Sequence, residues 1–179
     1  HQHGPAKELI LAAGLCHQPE ARDWLLNTLN SNDESIGLEV LEALACWGAE
    51  VPQTVVEESL CHPGQARRLA GLQLLTFRAH LLDDAHLLQL CEEPLRDFRD
   101  TVAIAAIRVL QRRDGALVAD RLASISRHGS DAASKAALLA LGCIATPMSR
   151  KWLLELSTSL PEGERRQQAC KQLKQQFRQ

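Results

Sequence analysis

The sequence predicts an all-α protein: an α-solenoid in which two-helix repeats stack into a right-handed superhelix. Three observations support this prediction. An apolar stripe with helical spacing recurs about every thirty residues, turn-forming residues separate the apolar segments, and aromatic residues make up only 3% of the 179-residue chain. Few aromatics argue against β-sandwiches and barrels, whose strands are rich in such residues. The apolar fraction of 45% and the charged fraction of 23% exclude a disordered chain.

The apolar stripe occurs six times, and each copy predicts one helix, here called a second-type helix. From a first position, the apolar residues stand three, four and seven residues onward, which is one face of an α-helix. The first positions are Glu8, Gly37, Arg67, Asp100, Ser134 and Arg166, separated by 29, 30, 33, 34 and 32 residues. The stripes are Leu11/Ala12/Leu15, Val40/Leu41/Leu44, Ala70/Gly71/Leu74, Ala103/Ile104/Ile107, Ala137/Leu138/Leu141 and Ala169/Cys170/Leu173.

A further apolar segment lies between successive stripes and predicts the other helix of each repeat, here called the first-type helix. These segments are residues 24–29, 55–60, 87–90, 117–125 and 152–156. Trp24 and Trp152 are 128 residues apart, which is four periods of 32, so they stand at corresponding places in the repeat. Both tryptophans, and Trp47, have helical phase with leucine neighbours and are expected in the core.

Residues with turn chemistry stand between the predicted helices. The turn segments are residues 30–33, 62–64, 93–94, 113–115, 128–131, 146–147 and 160–163. Aspartate carboxylates are expected to cap helix N-termini by accepting hydrogen bonds from free N–H groups. Proline is expected in first turns, where its missing N–H costs nothing. The expected caps are Asp33, Asp83 and Asp131, and the expected first-turn prolines are Pro52, Pro94, Pro147 and Pro161.

The second-type helices resemble the HEAT-like repeat family, in particular its short repeats of about thirty residues in bilin-lyase-type proteins. The family pattern is a basic residue, then alanine, then a Leu-Gly pair. The matching residues are Arg67/Ala70/Leu74, Arg166/Ala169/Leu173 and Ala140-Leu141-Gly142. Elsewhere the basic position holds Glu8, Gly37, Asp100 or Ser134. The resemblance covers nearly the whole chain and implies stacked helix pairs that serve for scaffolding more often than for chemistry.

One domain is expected over residues 1–179, with about five two-helix units. The last predicted helix, residues 163–179, is rich in Gln, Lys and Arg. Such a helix suits a polar cap of the stack and suits equally the cut end of a longer array. The first seven residues lack a signal-peptide pattern, and no apolar run is long enough to span a bilayer. The chain is therefore expected to be cytoplasmic, without membrane contact.

The charge of the chain is divided unevenly between its halves. Residues 1–94 hold 14 acidic and 5 basic residues, a net −9, whereas residues 95–179 hold 8 acidic and 15 basic residues, a net +7. This asymmetry indicates partners of opposite sign at the two ends, or salt-sensitive head-to-tail self-association.

Basic residues recur about once per unit in the later repeats and form the candidate partner-binding site. The candidates are Arg67, Arg68, Arg96, Arg99, Arg112, Arg113, Lys135, Arg165 and Arg166. Similar phase in successive repeats predicts a ladder along one edge of the stack, suited to an extended anionic partner. For Arg67 and Arg166, which match the family pattern, bracing of neighbouring loops stays open as an alternative.

Residues suited to catalysis or metal binding do not form a known motif. The six cysteines include no Cys-x-x-Cys pair and are expected to be free core residues in a reducing compartment. His80 and His86, near Asp83 and Asp84, are expected to belong to a solvated loop. The sequence has no nucleophile elbow, no Gly-rich phosphate loop and no His-Glu-x-x-His. We therefore expect a protein that is not an enzyme and holds no cofactor or metal.

The expected function is that of a scaffold or adaptor that binds another protein on the surface of the solenoid. Nucleic-acid binding is the first alternative, because some HEAT-like proteins cradle DNA, but net acidity and few aromatics argue against it. A bilin-lyase-like modifying role is a further alternative, suggested by the repeat length alone.

Overall fold

Helices account for all regular secondary structure in the part of the chain that the computed structural model describes, residues 7–30 and 36–177. The predicted all-α class is confirmed. First-type and second-type helices alternate along the chain, and each first-type helix packs on the second-type helix that follows it. The chain divides into two compact units, His1–Leu81 and Leu82–Gln179, which are described in turn.

Unit 1 contains three second-type and two first-type helices in its described residues. They are α1 (Lys7–Leu15), α2 (Pro19–Leu29), α3 (Gly37–Leu44), α4 (Gln53–Cys61) and α5 (Gln65–Arg78). The second-type helices α1, α3 and α5 pack side by side, while α2 packs on α1 and α3, and α4 packs on α5. Two 3-10 turns, Ala45–Glu50 and Ala79–Leu81, follow α3 and α5.

The stripes of α3 and α5 are buried, as their spacing predicts. Val40, Leu41 and Leu44 of α3 are at most 2% exposed. In α5, a Cβ atom added to Gly71 would lie 2.8 Å from Cβ of Ser59 on α4. Glycine therefore lets these two helices approach closely. The stripe residue four positions after Arg67 thus faces the preceding first-type helix, α4.

The stripe predicted for α1 is not buried, so that expectation is wrong for this helix. Leu11 is 59% exposed and Leu15 is 71% exposed, whereas Ile10 and Gly14 are buried against the rest of the unit. The reason lies in the packing. The stripe of a second-type helix is covered by the first-type helix before it, and none precedes α1 among the described residues.

Unit 2 contains three pairs of helices. They are α6 (Asp84–Leu95), α7 (Asp100–Leu110), α8 (Ala116–His128), α9 (Asp131–Ile144), α10 (Pro147–Ser159) and α11 (Glu164–Gln176). The second-type helices α7, α9 and α11 pack in sequence, and the first-type helices α6, α8 and α10 do the same. Leu138 and Leu141 of α9 are fully buried, which places the core of the unit between these two rows.

Polar side chains join the neighbouring first-type helices of unit 2. Arg121 of α8 donates to Glu92 of α6 at 2.9 Å, and the indole N–H of Trp152 on α10 donates to Asp120 of α8 at 2.6 Å. Arg127 of α8 stacks over the Trp152 ring, with its guanidinium carbon 4.9 Å from the ring centroid. Trp152 is thus only half-buried rather than a core residue, and the same exposure class applies to Trp24.

The helix ends confirm some expected caps and correct others. Asp83 caps α6 by accepting from the backbone N–H of His86 at 2.7 Å. Asp131 is instead the first residue of α9, and the Ser130 hydroxyl caps that helix, because one residue earlier the side chain reaches the free N–H of Ala133. Asp33 lies outside the described residues.

The prolines also divide into confirmed and corrected positions. Pro147 begins α10, as predicted. Pro52 precedes α4 as its N-cap residue, and Pro161 lies in the turn before α11. Pro94 lies in the last turn of α6 rather than in a first turn. Proline lacks an N–H, so α6 loses one backbone hydrogen bond at Pro94. The helix ends one residue later, at Leu95.

The expectation of core cysteines is wrong for most of the six. Cys16, Cys46, Cys61 and Cys143 are exposed, and Cys170 is half-buried. Cys91 on α6 is fully buried, and this burial raises the pKa of its thiol to about 12. The exposed cysteines lie near helix ends, where the stripe periodicity no longer sets which side of the helix is covered.

Candidate protein-interaction surface

The loop between α6 and α7 is held by its own ion pair. The carboxylate of Asp97 accepts from Nε of Arg99 at 2.8 Å, from its terminal nitrogen at 2.7 Å, and from its backbone N–H at 2.9 Å. The Asp97 side chain is 1% exposed and that of Arg99 is 20% exposed. The hydrogen bond that Arg99 donates to Asp97 also raises the pKa of the Arg99 guanidinium. A forked guanidinium–carboxylate pair of this kind fixes the loop geometrically.

Phe98 stands between the two members of this ion pair and is turned toward solvent. Its side chain is 90% exposed, the largest exposure among the large apolar residues described in the structure. The Arg99 guanidinium carbon lies 5.0 Å from the centroid of the Phe98 ring. A large aromatic ring presented in this way on an ordered loop resembles the anchors of protein interfaces, which are enriched in aromatics and arginine.

A groove opens beside Phe98, between the α6–α7 loop, α8 and the start of α9. Its apolar lining residues are Leu95, Phe98, Ala103, Ile125 and Ala133, and its polar lining residues include Arg96, Arg121, Ser124, His128 and Ser130. An apolar floor with a polar rim is the usual composition of a protein interface. Phe98 and the groove together are called the Phe98 surface below.

Charged groups of both signs line the rim of the Phe98 surface, where Asp97 and Asp100 lie with Arg96 and Arg121. Glu92 accepts from Arg96 at 2.5 Å and from Arg121 at 2.9 Å, so one carboxylate is shared by two guanidinium groups. The Arg96 side chain is 68% exposed, whereas that of Arg121 is 30% exposed. The exposed guanidinium of Arg96 thus lies two residues from Phe98 and is positioned to contact an acidic group of a partner.

The candidate arginines of unit 1 contact their own chain. The Arg68 guanidinium donates from Nε to the backbone carbonyl of His62 at 2.6 Å, which ties the start of α5 to the preceding turn. Arg67 lies against α3, because a Cβ atom added to Gly37 would clash with its guanidinium at 1.9 Å. Arg67 thus lies against Gly37, the first residue of α3.

At the start of α11, two more candidates are engaged in the same way. Arg165 donates to the backbone carbonyls of Arg127 and Gly129 at 3.1 and 3.0 Å and pairs with Asp131 at 2.7 Å. Arg166 donates from Nε to the carbonyl of Ser157 at 2.9 Å. Arg165 thus directs most of its N–H donors at the chain itself, whereas Arg166 has this hydrogen bond and a 3.9 Å ion pair with Glu162.

The candidates of unit 2 do not lie on one edge. Arg96 and Arg99 precede α7, whereas Arg112 and Arg113 follow it, and an eleven-residue helix is roughly 16 Å long. Arg113 pairs with Asp84 at 2.7 Å and donates to the carbonyl of Leu82. Arg112 is exposed at this second edge.

Lys135, on α9, lies near the edge that carries the α10–α11 turn. Its ammonium group is 3.8 Å from the carboxylate of Glu164, and its side chain is 62% exposed. The structure therefore groups Arg96 and Arg99 at the Phe98 surface, and it places Lys135, Arg165 and Arg166 around the start of α11.

Phe98 and Asp97, which define this surface, are not among the candidate residues predicted from the sequence. One signal was present, because Asp97 and Arg99 flank an aromatic residue in a short Pro-containing connection between two predicted helices. Sequence spacing cannot show that the carboxylate folds back on the arginine and leaves the ring outside.

Comparison with known proteins does not assign the chain to a family. The chain matches no protein-family model, and no curated protein is significantly similar to it. Within residues 7–30 and 36–177, no three His, Cys, Asp or Glu side chains are grouped so that they could hold a metal ion. Over the same residues, the helices are too short or too polar to cross a membrane.

Proposed function

We propose that this protein is a non-enzymatic scaffold, a HEAT-like α-solenoid that binds another protein through the Phe98 surface. The observation that carries the proposal is the 90% exposure of Phe98 on a loop fixed by the Asp97–Arg99 ion pair. Burying a phenylalanine ring in a partner gains about 1.5–3 kcal/mol, and a loop that is already ordered loses little entropy on binding.

The alternation of helix types supports the solenoid part of the proposal. In each unit, second-type helices pack side by side, and each first-type helix packs on the next second-type helix. Stacking of this kind produces edges made of successive interhelix loops, and binding surfaces of repeat proteins are commonly built from such edges. The Phe98 surface lies on one of these edges of unit 2.

A protein partner is favoured over nucleic acid because most of the candidate arginines already bond to groups of the chain itself. Arg68, Arg165 and Arg166 donate to carbonyl groups of the chain, and Arg99 and Arg113 pair with its carboxylates. Affinity for nucleic acid comes mainly from cations that neutralise phosphates, so arginines engaged in this way contribute little to it. The bilin-lyase-like alternative gains no support from these contacts.

The test is quantitative affinity capture from nuclease-treated native extract, followed by a binding titration with the retained protein. We expect Phe98→Ala to weaken binding by at least about 30-fold, the size of an interface hot spot. Arg96→Glu is expected to weaken it further and to reduce the salt dependence of association.

Phe177→Ala is the matched control, because Phe177 is also an exposed phenylalanine, at 75%, beyond the end of α11. Equal binding by wild type, Phe98→Ala and Phe177→Ala would disprove the assigned surface. Loss of every partner on nuclease treatment would instead favour nucleic-acid binding.

Head-to-tail self-association is a separate prediction from the charge division. Sedimentation at low and high salt measures it directly, and a monomer mass at low salt would contradict it.

A further inference from the structure

Two second-type helices of unit 1 touch through their backbones. A Cβ atom added to Gly14 of α1 would lie 2.8 Å from the carbonyl oxygen and 3.0 Å from the Cα atom of Ala43 on α3. The Cα atoms of Gly14 and Ala43 are therefore at most about 4.5 Å apart, because one carbon–carbon bond of about 1.5 Å is added to the second distance. Helices that pack through larger side chains have axes roughly 8–10 Å apart, so the backbones of α1 and α3 approach more closely than is usual.

The two chain segments stay in contact just beyond this point. The imidazole ring of His17, which follows α1, lies 5.8 Å from the Trp47 ring, centroid to centroid, in an edge-to-face arrangement. Trp47 belongs to the 3-10 turn after α3 and is only 7% exposed. On α2, Arg22 has its guanidinium carbon 5.9 Å from the centroid of the same ring. These contacts hold the end of α1 against the 3-10 turn.

Cys16 and Cys46 lie between the backbone contact and the ring contact. Cys16 follows Gly14 by two residues, Cys46 follows Ala43 by three, and each cysteine immediately precedes one of the two rings. Residues three apart in a 3-10 helix lie on the same side, so Cys46 continues the side of α3 on which Ala43 meets α1. Both cysteines are exposed and have free thiols. Contacts before and after the pair thus confine the two thiols to the same part of the surface of unit 1.

The exposure of these cysteines belongs to their place in the repeat. Cys46 and Cys143 stand nine residues after the first positions of their stripes, and Cys16 stands eight residues after its own. Cys143 is exposed on α9 although α7 and α8 precede that helix. In the adjacent repeats, the places that correspond to Cys143 hold Val109 of α7 and Gln175 of α11. Cys143 is therefore the matched control, an exposed thiol without a cysteine at the corresponding place of an adjacent repeat.

We propose that Cys16 and Cys46 form a modification site, a thiol pair that a hydroperoxide oxidises to a disulfide. A disulfide requires Cα atoms about 4.4–6.8 Å apart, a separation that helices in ordinary packing do not reach. The close approach at Gly14 removes this obstacle for α1 and α3. The site uses neither the Phe98 surface nor its partner, so the inference does not depend on the proposed scaffold function.

The oxidation takes place in two steps. One cysteine thiolate attacks an oxygen of hydrogen peroxide, the O–O bond breaks, and a sulfenic acid forms with release of water. The second thiolate attacks the sulfenic sulfur, the S–O bond breaks, and a second water leaves as the S–S bond forms. In total, two thiols lose two electrons and two protons, and hydrogen peroxide is reduced to two molecules of water. Small thiols reverse the modification by exchange with the disulfide.

The disulfide connects the end of α1 covalently to the turn after α3. It closes a loop that contains α2, and a cross-link of this kind stabilises a folded unit by restricting its unfolded chain. We expect the amides of unit 1 to exchange at least about tenfold more slowly with solvent in the oxidised chain than in the reduced chain.

The test treats the full chain with hydrogen peroxide under native conditions and then blocks the remaining thiols with iodoacetamide in denaturant. Free thiols are expected to fall from six to four per chain. A glutamate-specific protease, which separates Cys46 from Cys61 by cleaving after Glu50, is expected to release residues 9–20 linked to residues 43–50. Mass spectrometry identifies the linked product by the loss of two hydrogens relative to the separate peptides and by its disappearance after reduction with dithiothreitol.

Two substitutions at exposed positions provide the controls. Cys46→Ser is expected to abolish the linked product, whereas Cys143→Ser is expected to leave its yield unchanged. At a fixed excess of peroxide, the rate of linkage is expected to stay constant over a tenfold range of protein concentration, because the bond forms within one chain.

Four results would overturn the proposal. They are retention of all six thiols in excess peroxide, oxidation of Cys16 or Cys46 to a sulfinic acid without linkage, pairing of either residue with Cys61 instead, and linkage only between two chains, seen as a dimer on a non-reducing gel. Each of these results leaves Phe98-dependent capture unaffected, so the scaffold function is tested separately.

Discussion

The two units share their helix pairing but differ in how their helix ends are satisfied. In unit 2, side chains of Asp83, Ser130 and Thr146 cap three helices by accepting from first-turn N–H groups. In unit 1, none of the four helices whose N-cap residue is described, α2 to α5, has a side-chain cap. Their N-cap residues are Gln18, Ile36, Pro52 and Gly64.

In unit 1, an arginine side chain holds the connection that follows α3. The backbone turns sharply at Gly48, whose φ of 56° is easily adopted only by glycine. Arg78 at the end of α5 then donates to the carbonyls of Ala49 and Val51, both at 2.6 Å. One long side chain thus fixes the connection after α3 by donating to carbonyl groups, whereas the three caps of unit 2 accept from N–H groups.

Similar helix pairing thus leaves the two units with different stabilising contacts at their helix ends. A side-chain cap contributes about 1 kcal/mol, so the three caps of unit 2 contribute roughly 3 kcal/mol, against about 2 kcal/mol for the Arg78 hydrogen bonds of unit 1. We therefore expect unit 1 to open at lower denaturant concentration than unit 2.

Matched truncations in the two cores should separate the units most clearly. Leu74→Ala in α5 and Leu141→Ala in α9 remove fully buried side chains at the same stripe position. Each is expected to cost about 2–5 kcal/mol, because a cavity replaces packed atoms. We expect Leu74→Ala to expose the amides of unit 1 alone, as measured by hydrogen exchange with mass spectrometry.

Thiol labelling provides a second readout for these truncations. Cys91 is buried in unit 2, and its pKa of about 12 keeps it protonated at pH 8. Its labelling therefore reports the opening of unit 2. If Leu74→Ala accelerates the labelling of Cys91 as much as Leu141→Ala does, the two units unfold together and the comparison fails.

Removal of the Arg78 guanidinium should be the next largest effect. Arg78→Met keeps an apolar stem but leaves the carbonyls of Ala49 and Val51 without this donor. We expect a loss of about 2 kcal/mol in the free energy of unfolding of unit 1, since the lost hydrogen bonds involve a charged donor. Urea denaturation followed by exchange measures it. Arg108→Met, at an exposed position of α7, is the control and should change stability by less than about 0.5 kcal/mol.

Exchange of caps between the units should give smaller effects of opposite sign. Thr146→Ala removes the hydroxyl that accepts from the N–H of Ser149 and should cost unit 2 about 1 kcal/mol. Gln18→Asp adds a carboxylate at an extended N-cap residue just before Pro19 and should stabilise unit 1 by about 0.5–1 kcal/mol. Gln18→Ala is the matched control, and equal stability of the Asp and Ala variants would contradict the capping argument.

The ion pair between Lys7 of α1 and Glu39 of α3 should have the smallest effect. Hydrogen bonding and charge from Lys7 hold the pKa of Glu39 below its ordinary value of 4.5. Because the folded-state pKa is lowered, the pair stabilises unit 1 above pH 4.5 and loses this contribution as pH falls through the folded-state pKa.

The measurement is an NMR titration of the Glu39 carboxyl group. In Lys7→Gln the pKa of Glu39 should rise toward 4.5, and 1 M salt should have a similar effect on the wild type because the pair is exposed. Lys151→Gln, on an exposed part of α10, should leave that pKa unchanged. An unchanged Glu39 titration in Lys7→Gln would show that the pair does not persist in solution.

The stripe periodicity predicted the helices well because it reflects a property of each helix taken alone. The stripes of α3, α5 and α9 are buried where the spacing placed them. The same periodicity failed for α1, where Leu11 and Leu15 are exposed. Burial requires a neighbour, and the sequence of a helix does not specify whether its neighbour is present.

The candidate site was predicted only in part, for a related reason. Arg96 was identified as a candidate and is exposed at the Phe98 surface, but Phe98 itself was missed. Arg99 and Arg165 were identified by their charge, yet both are engaged with neighbouring groups of the chain. Charge is visible in a sequence, whereas the acceptors that neutralise it are brought close only by folding.

The sequence by itself determined that the chain forms alternating helices of two types, because helical periodicity and turn chemistry act over a few residues. Tertiary structure decided which side chains remained available. It left Phe98 exposed, engaged Arg78 with the carbonyls of Ala49 and Val51, and brought Trp152 to Asp120. The contacts of Arg78 and Trp152 join groups 27 to 32 residues apart in the chain, a proximity that packing sets and local sequence does not.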